Sequence, residues 1–365
     1  MKARVIAMYL PQYHPIKEND ETWGKGFTEW TNVVQGRPLF RGHEQPKLPA
    51  DLGFYDLRLP EIREQQAELA RDAGIEGFMY WHYWMGGGKL LLEKPFEEVL
   101  KTKSPNFPFC LGWANHSWQT RTWKKQNVVF KDKMIVEQTY PGDEDIVQHF
   151  NYVLPAFRDS RYITVDGKPV FLIFAPFDIP NVQHFLKMWR DLAVQNGLKG
   201  VHFVGLRDGR TQKSSQLFEW GFDAVNNRSL GEAEDRVLGS VFLRKVKRFL
   251  SVKMGGATLQ KFNYLDIIRN LGDDDNYKEN VYPTIIPGYD RTARAGRRAV
   301  IYYNNTPQNF GEHVDRVMKY VEKKEDEHKI ILLKSWNEWG EGNYMEPDLK
   351  YGHAYLDELK KRITE

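Results

Sequence analysis

The chain has 365 residues, 41% hydrophobic and 28% charged, with 52 Lys and Arg against 49 Asp and Glu. That balance excludes a disordered chain, a collagen-like repeat and a dedicated nucleic-acid-binding surface, while the length admits one large α/β barrel with a full core. The single cysteine, Cys110, excludes an internal disulfide, and no run approaches the roughly 18 consecutive apolar residues of a spanning helix, so no integral membrane segment is expected.

In chain order, short runs rich in Val, Ile, Phe and Tyr occupy 5–10, 77–84, 107–114, 169–175, 201–206, 223–227, 281–287 and 329–336. Eight such runs alternating with helical or loop material predict a single (β/α)8 TIM barrel spanning 1–365, the catalytic domain. Near-continuous apolar stretches such as FLIF and IILL suit parallel strands buried on both faces. Helical spacing with a Gly stop is predicted over 59–74 and 181–197, and further helices over 306–324 and 349–363. The stretch 20–56, broken by Gly and Pro, is a long first loop expected to fold over the barrel mouth. A second departure from a minimal barrel is a helical insertion at 231–277, before the seventh strand. It contains the basic amphipathic run VFLRKVKRFLSVK at 241–253, either a surface helix packed on the barrel or a peripheral contact with a membrane surface or acidic partner. The start MKARVIAMYLPQ carries no leader pattern, so a cytoplasmic location is expected, or a periplasmic one if a leader has been removed.

Seven tryptophans (Trp81, Trp84, Trp113, Trp118, Trp123, Trp336 and Trp339) sit in or just after strand-like segments, more than core packing usually asks for. Residues just past the strand ends form the working face of such a barrel. The sharpest signal is KSWNEWGEG, where Glu338 and Glu341 follow a buried-looking strand. Three residues of chain span at most about 10 Å, so both carboxylates can act on one bond, as two-carboxylate glycosidic cleavage requires. One carboxyl is expected to be held protonated by burial and by its neighbour's charge, the other to stay ionised. Trp336 and Trp339 would offer apolar faces to a sugar ring and Asn337 an amide to a hydroxyl. The bland alternative is a solvated glutamate pair on a loop.

The stretches AMYLPQYHPIKENDETWGKGFTEWTNV, GHEQPKLPADLGFYDLRLPEIREQQAELA, GFMYWHYWMGGGKLLLEKP and SWNEWGEG resemble the WbsX-type proteins, which carry a glycosyltransferase label and are related to glycoside hydrolase family 99. The resemblance implies a metal-independent retaining glycosidase, possibly endo-acting on mannoside-like polysaccharide or oligosaccharide. Glu338 would act as base on the 2-hydroxyl to form a 1,2-anhydro sugar, and Glu341 as the acid that protonates the departing oxygen. The alternative is a glycosyltransferase of surface polysaccharide biosynthesis. Neither a Gly-rich nucleotide-binding turn nor an acidic metal-binding pair is evident, and Asp273–Asp275 reads as solvated charge. The segment PGYDRTARAGRR resembles a family region that would bring Tyr289 and Asp290 to the mouth. Candidate substrate contacts further include Tyr13, Glu29 and Trp30 in the first loop, and His82 and Trp84 at the second strand. Trp113, Asn115, His116 and Trp118 follow the third strand, with His116 standing where related sequences carry an acidic residue. A metal hydrolase built from His14, His82, His116 and Asp290 is the weaker rival, since ten scattered histidines show no ligand spacing. No cofactor and no metal are called for, and the expected partner is a carbohydrate, with no nucleic acid.

Overall fold

Strands apolar at every position need cover on both faces, and a closed barrel ringed by helices supplies it. The computed structural model describes residues 2–120, 133–209, 212–239, 242–243, 246, 249–250 and 259–364. The eight expected runs form β1 (Arg4–Tyr9), β2 (Gly77–Trp84), β3 (Phe109–Trp113), β4 (Lys168–Ile173), β5 (His202–Arg207), β6 (Ala224–Asn227), β7 (Val281–Ile285) and β8 (Ile330–Leu333). Each pairs in parallel with its sequence neighbours. The ring closes where β8 lies beside β1, with Arg4 opposite Ile330 and Ala7 opposite Leu333.

The helices outside the ring follow their sequence stripes. Helix Pro307–Val321 begins at Thr306, whose Oγ1 accepts from the Asn309 N–H, has Pro307 in its first turn, and buries Phe310, Val314, Val317 and Val321 against the barrel. Helix Val182–Gln195 buries Phe185, Leu186, Trp189 and Ala193, and ends at Asn196 with Gly197 at φ 81°. Trp189 packs within 5 Å of Phe171 and Phe185, tying this helix to β4; burying one such side chain contributes roughly 1.5–3 kcal/mol.

Four expectations are modified. The first loop holds two short helices, Lys17–Trp23 and Glu29–Val33. The C-terminal helix starts at Ala354 rather than 349, because Asp348 Oδ1 accepts from the backbone N–H groups of Lys350 and Tyr351 and folds that stretch into a turn. The region before β7 is not purely helical: between helices Leu230–Leu238 and Tyr264–Asn270 lies the strand Gln260–Asn263, paired in parallel with Val300–Tyr303. Asp273 is not simply solvated, since it accepts from Asn227 Nδ2 at 3.0 Å and lies 3.4 Å from Arg207 Nη1. Trp123 and most of the basic run 241–253 lie outside the described residues. Among the described residues, no helix is long and apolar enough to cross a membrane.

Candidate active site

Past β8 the chain turns back on itself. Asn337–Glu338 pairs antiparallel with Asn343–Tyr344, the residues Trp339–Glu341 form the turn, and Gly342 closes it at φ 56°, a conformation open to glycine at no steric cost. The turn is held from below. Asn337 Oδ1 accepts from Leu10 N at 2.8 Å and its Nδ2 donates to Leu10 O at 3.0 Å, stapling the end of β8 to the end of β1. The Tyr13 hydroxyl donates to Asn337 O and accepts from Trp339 N. Trp336 is fully buried against Phe78, and Trp339 stacks on Tyr344 at 3.7 Å while its Nε1 donates to Glu346 Oε2 at 2.6 Å. Neither indole face is open to a sugar, so both tryptophans serve as the apolar floor of the turn. Burial pushes the Glu346 carboxyl up to about 7, in spite of the hydrogen bonds from Trp339, Gln66 and Tyr55.

Glu338 and Glu341 emerge on one side of this floor, and cations meet them there. Arg294 Nη1 lies 3.0 Å from Glu338 Oε1 and 3.0 Å from Glu341 Oε1, so those two oxygens are at most about 6 Å apart. Lys334 Nζ is 3.0 Å from Glu341 Oε2 and 3.8 Å from Glu338 Oε2, and Arg291 Nε is 3.3 Å from Glu341 Oε1. Burial alone would raise the Glu341 pKa, yet the charges of Lys334, Arg291 and Arg294 hold it well below the ordinary carboxylate value. The expectation of a protonated Glu341 in the free protein is thereby corrected: like-charge crowding is outweighed by three nearby cations. Arg294 is itself anchored from behind by Glu29, whose Oε1 accepts from Arg294 Nε at 2.8 Å and whose side chain is fully buried. Gly340 makes that approach possible, because a Cβ there would sit 1.7 Å from Glu29 Oε1.

The pair opens into a cavity of about 460 Å³, within the usual range of small-molecule sites of roughly 300–1,000 Å³. Every barrel strand supplies part of its wall: Leu10 and Gln12 follow β1, Trp81 and Tyr83 end β2, and His116 and Trp118 follow β3. Phe174 follows β4, Asp208 β5, Arg228 β6, Tyr289 and Arg294 β7, and Lys334, Glu338 and Glu341 β8.

Of the residues singled out from sequence, Glu338, Glu341, His116, Trp118 and Tyr289 come together on this wall. Ten others stand behind it. In β2 the inward parity is Trp81 and Tyr83, so His82 and Trp84 point the other way, toward the helix Asp143–Phe157. There His82 Nε2 lies 2.9 Å from His149 Nε2, and Trp84 stacks on His149 at 4.8 Å. Burial pushes the His82 imidazole down to about 3. Trp81, not Trp84, is the cavity tryptophan of β2. Trp113 packs outward on Phe185, and Asn115 staples β3 to β4 through Ala175, its Oδ1 accepting at 2.8 Å and its Nδ2 donating at 2.8 Å. Tyr13 and Trp30 pack together under the turn at 4.8 Å, beside Glu29, Asn337 and Trp339. Asp290 Oδ2 accepts from Gln45 Nε2 at 2.7 Å and lies 2.8 Å from His43 Nε2, pinning the first loop to the loop after β7. Burial disfavours the charged form, but the hydrogen bond from His43 and the nearby Lys47 hold the Asp290 carboxyl below its ordinary value. His82 and Asp290 are thus engaged in separate places, away from His116 on the cavity wall.

Other wall residues were not among the candidate contacts: Trp81, noted in the sequence only for its place in a strand, and Phe174, Asp208, Arg228, Arg294 and Lys334. Asp208 and Arg228 sit immediately past β5 and β6, where the strand-end rule applied to the other strands would have found them. Arg294 had no such signal, since only folding brings it beneath a turn more than forty residues away in sequence.

Fold and site together define a (β/α)8 protein with an acidic pair at the C-terminal mouth of the barrel. The model of the family described as "Glycosyltransferase WbsX" matches residues 5–359, and the chain belongs to that family. It is 32% identical over all 365 residues to the uncharacterized protein WxcX of Xanthomonas campestris, and spans about half the length of that relative. Among solved structures, the GH99 endo-alpha-mannosidase of Bacteroides thetaiotaomicron superposes with a TM-score of 0.59 at 13% identity, covering 100% of this chain and 96% of that one. A protein described as glycoside hydrolase-like matches with a TM-score of 0.59 at 17% identity, covering 100% of this chain and 94% of that one. These likenesses establish the barrel fold.

Proposed function

We propose that this chain is a carbohydrate-active enzyme that cleaves a glycosidic bond with Glu338 and Glu341, in the manner of a retaining, mannoside-directed hydrolase. The observation that carries this reading is the clamp of both glutamates on Arg294 at 3.0 Å each, facing a cavity walled by Trp81, Tyr83, Trp118, Phe174 and Tyr289. The spacing limit of about 6 Å between the clamped oxygens falls short of the roughly 6.5–9.5 Å of inverting pairs. Aromatic walls bind the apolar faces of pyranose rings, and the family and the fold of the GH99 neighbours agree with such a substrate. In this reading Glu338 takes the proton of the 2-hydroxyl as the 1,2-anhydro ring closes. Glu341, ionised in the free protein, takes up the proton it must later give to the leaving oxygen, so its depressed pKa calls for an acidic optimum.

A second reading has one observation in its favour: an ionised Glu341 is also suited to accept a proton from an acceptor hydroxyl, as glycosyl transfer requires. Against it, the lining cations are already engaged by carboxylates, Arg294 and Lys334 by the glutamate pair and Arg228 by Asp208, so a nucleotide diphosphate would have to displace them. Incubation with α-mannoside oligosaccharides, without nucleotide sugar or added metal, separates the two. New reducing ends are expected, and turnover that appears only with a nucleotide-sugar donor overturns the hydrolase reading in favour of transfer.

A further inference from the structure

The walls contributed by β5 and β6 take no part in the cleavage proposed above, yet they carry an ion pair between a buried arginine and a part-exposed aspartate. Arg228 Nη2 donates to Asp208 Oδ2 at 2.6 Å, and Arg228 is only 8% exposed. The guanidinium lies over the Phe174 ring at 5.3 Å. The pair is incompletely bonded: Arg228 Nη1 makes no hydrogen bond to any described residue, and Arg228 Nε and Asp208 Oδ1 are buried without partners. His116 stands beside them on the same wall, its ring 5.1 Å from Phe174, and its imidazole makes no hydrogen bond to any described residue. The residue keeps an exposed edge toward the cavity, and the protein packed around its ring together with the charge of Arg228 pushes the imidazole down to about 4, so near neutral pH it offers one donor and one acceptor. A buried pair is favourable only when its remaining valences are met, and both residues of this pair line a ligand-sized cavity.

Their chemistry indicates what would meet them. A carboxylate or phosphate approaching Arg228 also approaches Asp208, and the lining acids Asp208, Glu234, Glu338 and Glu341 outnumber the lining bases Arg228, Arg294 and Lys334. An anionic ligand is therefore disfavoured. A sugar hydroxyl both donates and accepts, and adjacent hydroxyls match a donor and an acceptor held side by side. β6 and β5 stand two and three strands round the ring from β8, which leaves room for a ring beyond the one attacked.

We infer that Arg228, Asp208 and His116 form a hydroxyl-reading subsite for a second, uncharged sugar unit adjoining the glutamate pair. This rests on the glycoside reading above and extends it: the substrate carries at least two sugar units, and the unit at β5 and β6 bears no uronic acid.

The test is calorimetric binding of the Glu338→Gln protein to neutral and uronic-acid-bearing disaccharides in gluco, manno and galacto configurations, run beside turnover assays of the unaltered protein. Binding is expected for neutral members only, weakened tenfold or more by Arg228→Gln. The double change Asp208→Asn with Arg228→Gln leaves no lone buried ion and is expected to weaken binding likewise. Binding by the acidic members, unchanged affinity in both variants, or no binding by any member overturns the subsite. Binding that follows the expected pattern without any turnover would instead overturn the hydrolase reading and leave the subsite standing.

Discussion

The turn after β8 and the back of β2 are both buried and both rich in titratable groups, yet they handle charge in opposite ways. At the turn, Glu341 is flanked by Lys334, Arg291 and Arg294 and is held ionised. Behind β2, His82 and His149 lie 2.9 Å apart among Trp84, Trp113 and Tyr152, with no carboxylate of the described residues in contact, and burial holds both imidazoles neutral. One of those Nε2 atoms donates and the other accepts, an arrangement a doubly protonated pair could not make. The contrast teaches that burial removes charge where no partner is supplied and preserves it where partners are, and of these two regions the one that keeps its charge is the one facing the cavity.

The comparison can be broken from its charged side first. Glu338→Gln and Glu341→Gln each remove a proton-transfer role and are expected to lower kcat by roughly 10²- to 10⁴-fold, with disaccharide affinity nearly intact. Full turnover in either variant would take the glutamates out of the chemistry. Next in size is Gly340→Ala: the added methyl collides with Glu29, and the Arg294 clamp must move. A buried charge parted from its partner typically costs about 3–5 kcal/mol, so a lower melting temperature and a loss of activity are expected together. A variant as stable and active as the parent would show that Glu29 does not set the position of Arg294.

The neutral side is probed by pH. A histidine whose folded pKa lies below its ordinary 6.5 contributes stability that is fully present above 6.5 and is lost as pH falls through the window from 6.5 toward about 3, the value to which His82 is pushed. The slope is about 1.4 kcal/mol per pH unit for each such group. Thermal melts between pH 7 and 4 should show this fall, and the double variant His82→Gln with His149→Gln should make it shallower, leaving the share of His14, His202 and His313, which burial also pushes down; an unchanged slope would place the acid lability elsewhere. The smallest expected effect is that of Lys334→Met. It removes a cation 3.0 Å from Glu341, so the pKa of that carboxyl rises and the alkaline limb of the kcat/KM profile, set by loss of the Glu341 proton, moves to higher pH. A shift in the opposite direction would contradict the assignment of Lys334 as a cause of the depressed pKa.

Much of the architecture was legible without coordinates. The eight strands could be read because two-sided burial leaves near-continuous apolar runs, and the helix at Pro307–Val321 because its stripe and cap stand in the sequence. The glutamate pair was legible from its position past a strand end. What was not legible was parity and partnership. Trp81 and Trp84 are three positions apart on one strand and so must face opposite ways, but which faces the cavity depends on how β2 is registered against β1 and β3. Asn115, Asn337 and Asp290 read as binding groups because polar residues at a barrel mouth often bind; each is instead consumed in holding one strand end or loop to another.

Sequence alone determined the barrel, the place of Glu338 and Glu341 on its rim and the aromatic richness around them, because these depend on local pattern and on short separations along the chain. Tertiary structure decided the charge state of Glu341, the clamp by Arg294, the choice of Trp81 over Trp84 and the pairing of Arg228 with Asp208. Electrostatic partnership depends on distance in space, and closing the ring brings the ends of all eight strands, and the loops that follow them, to one mouth.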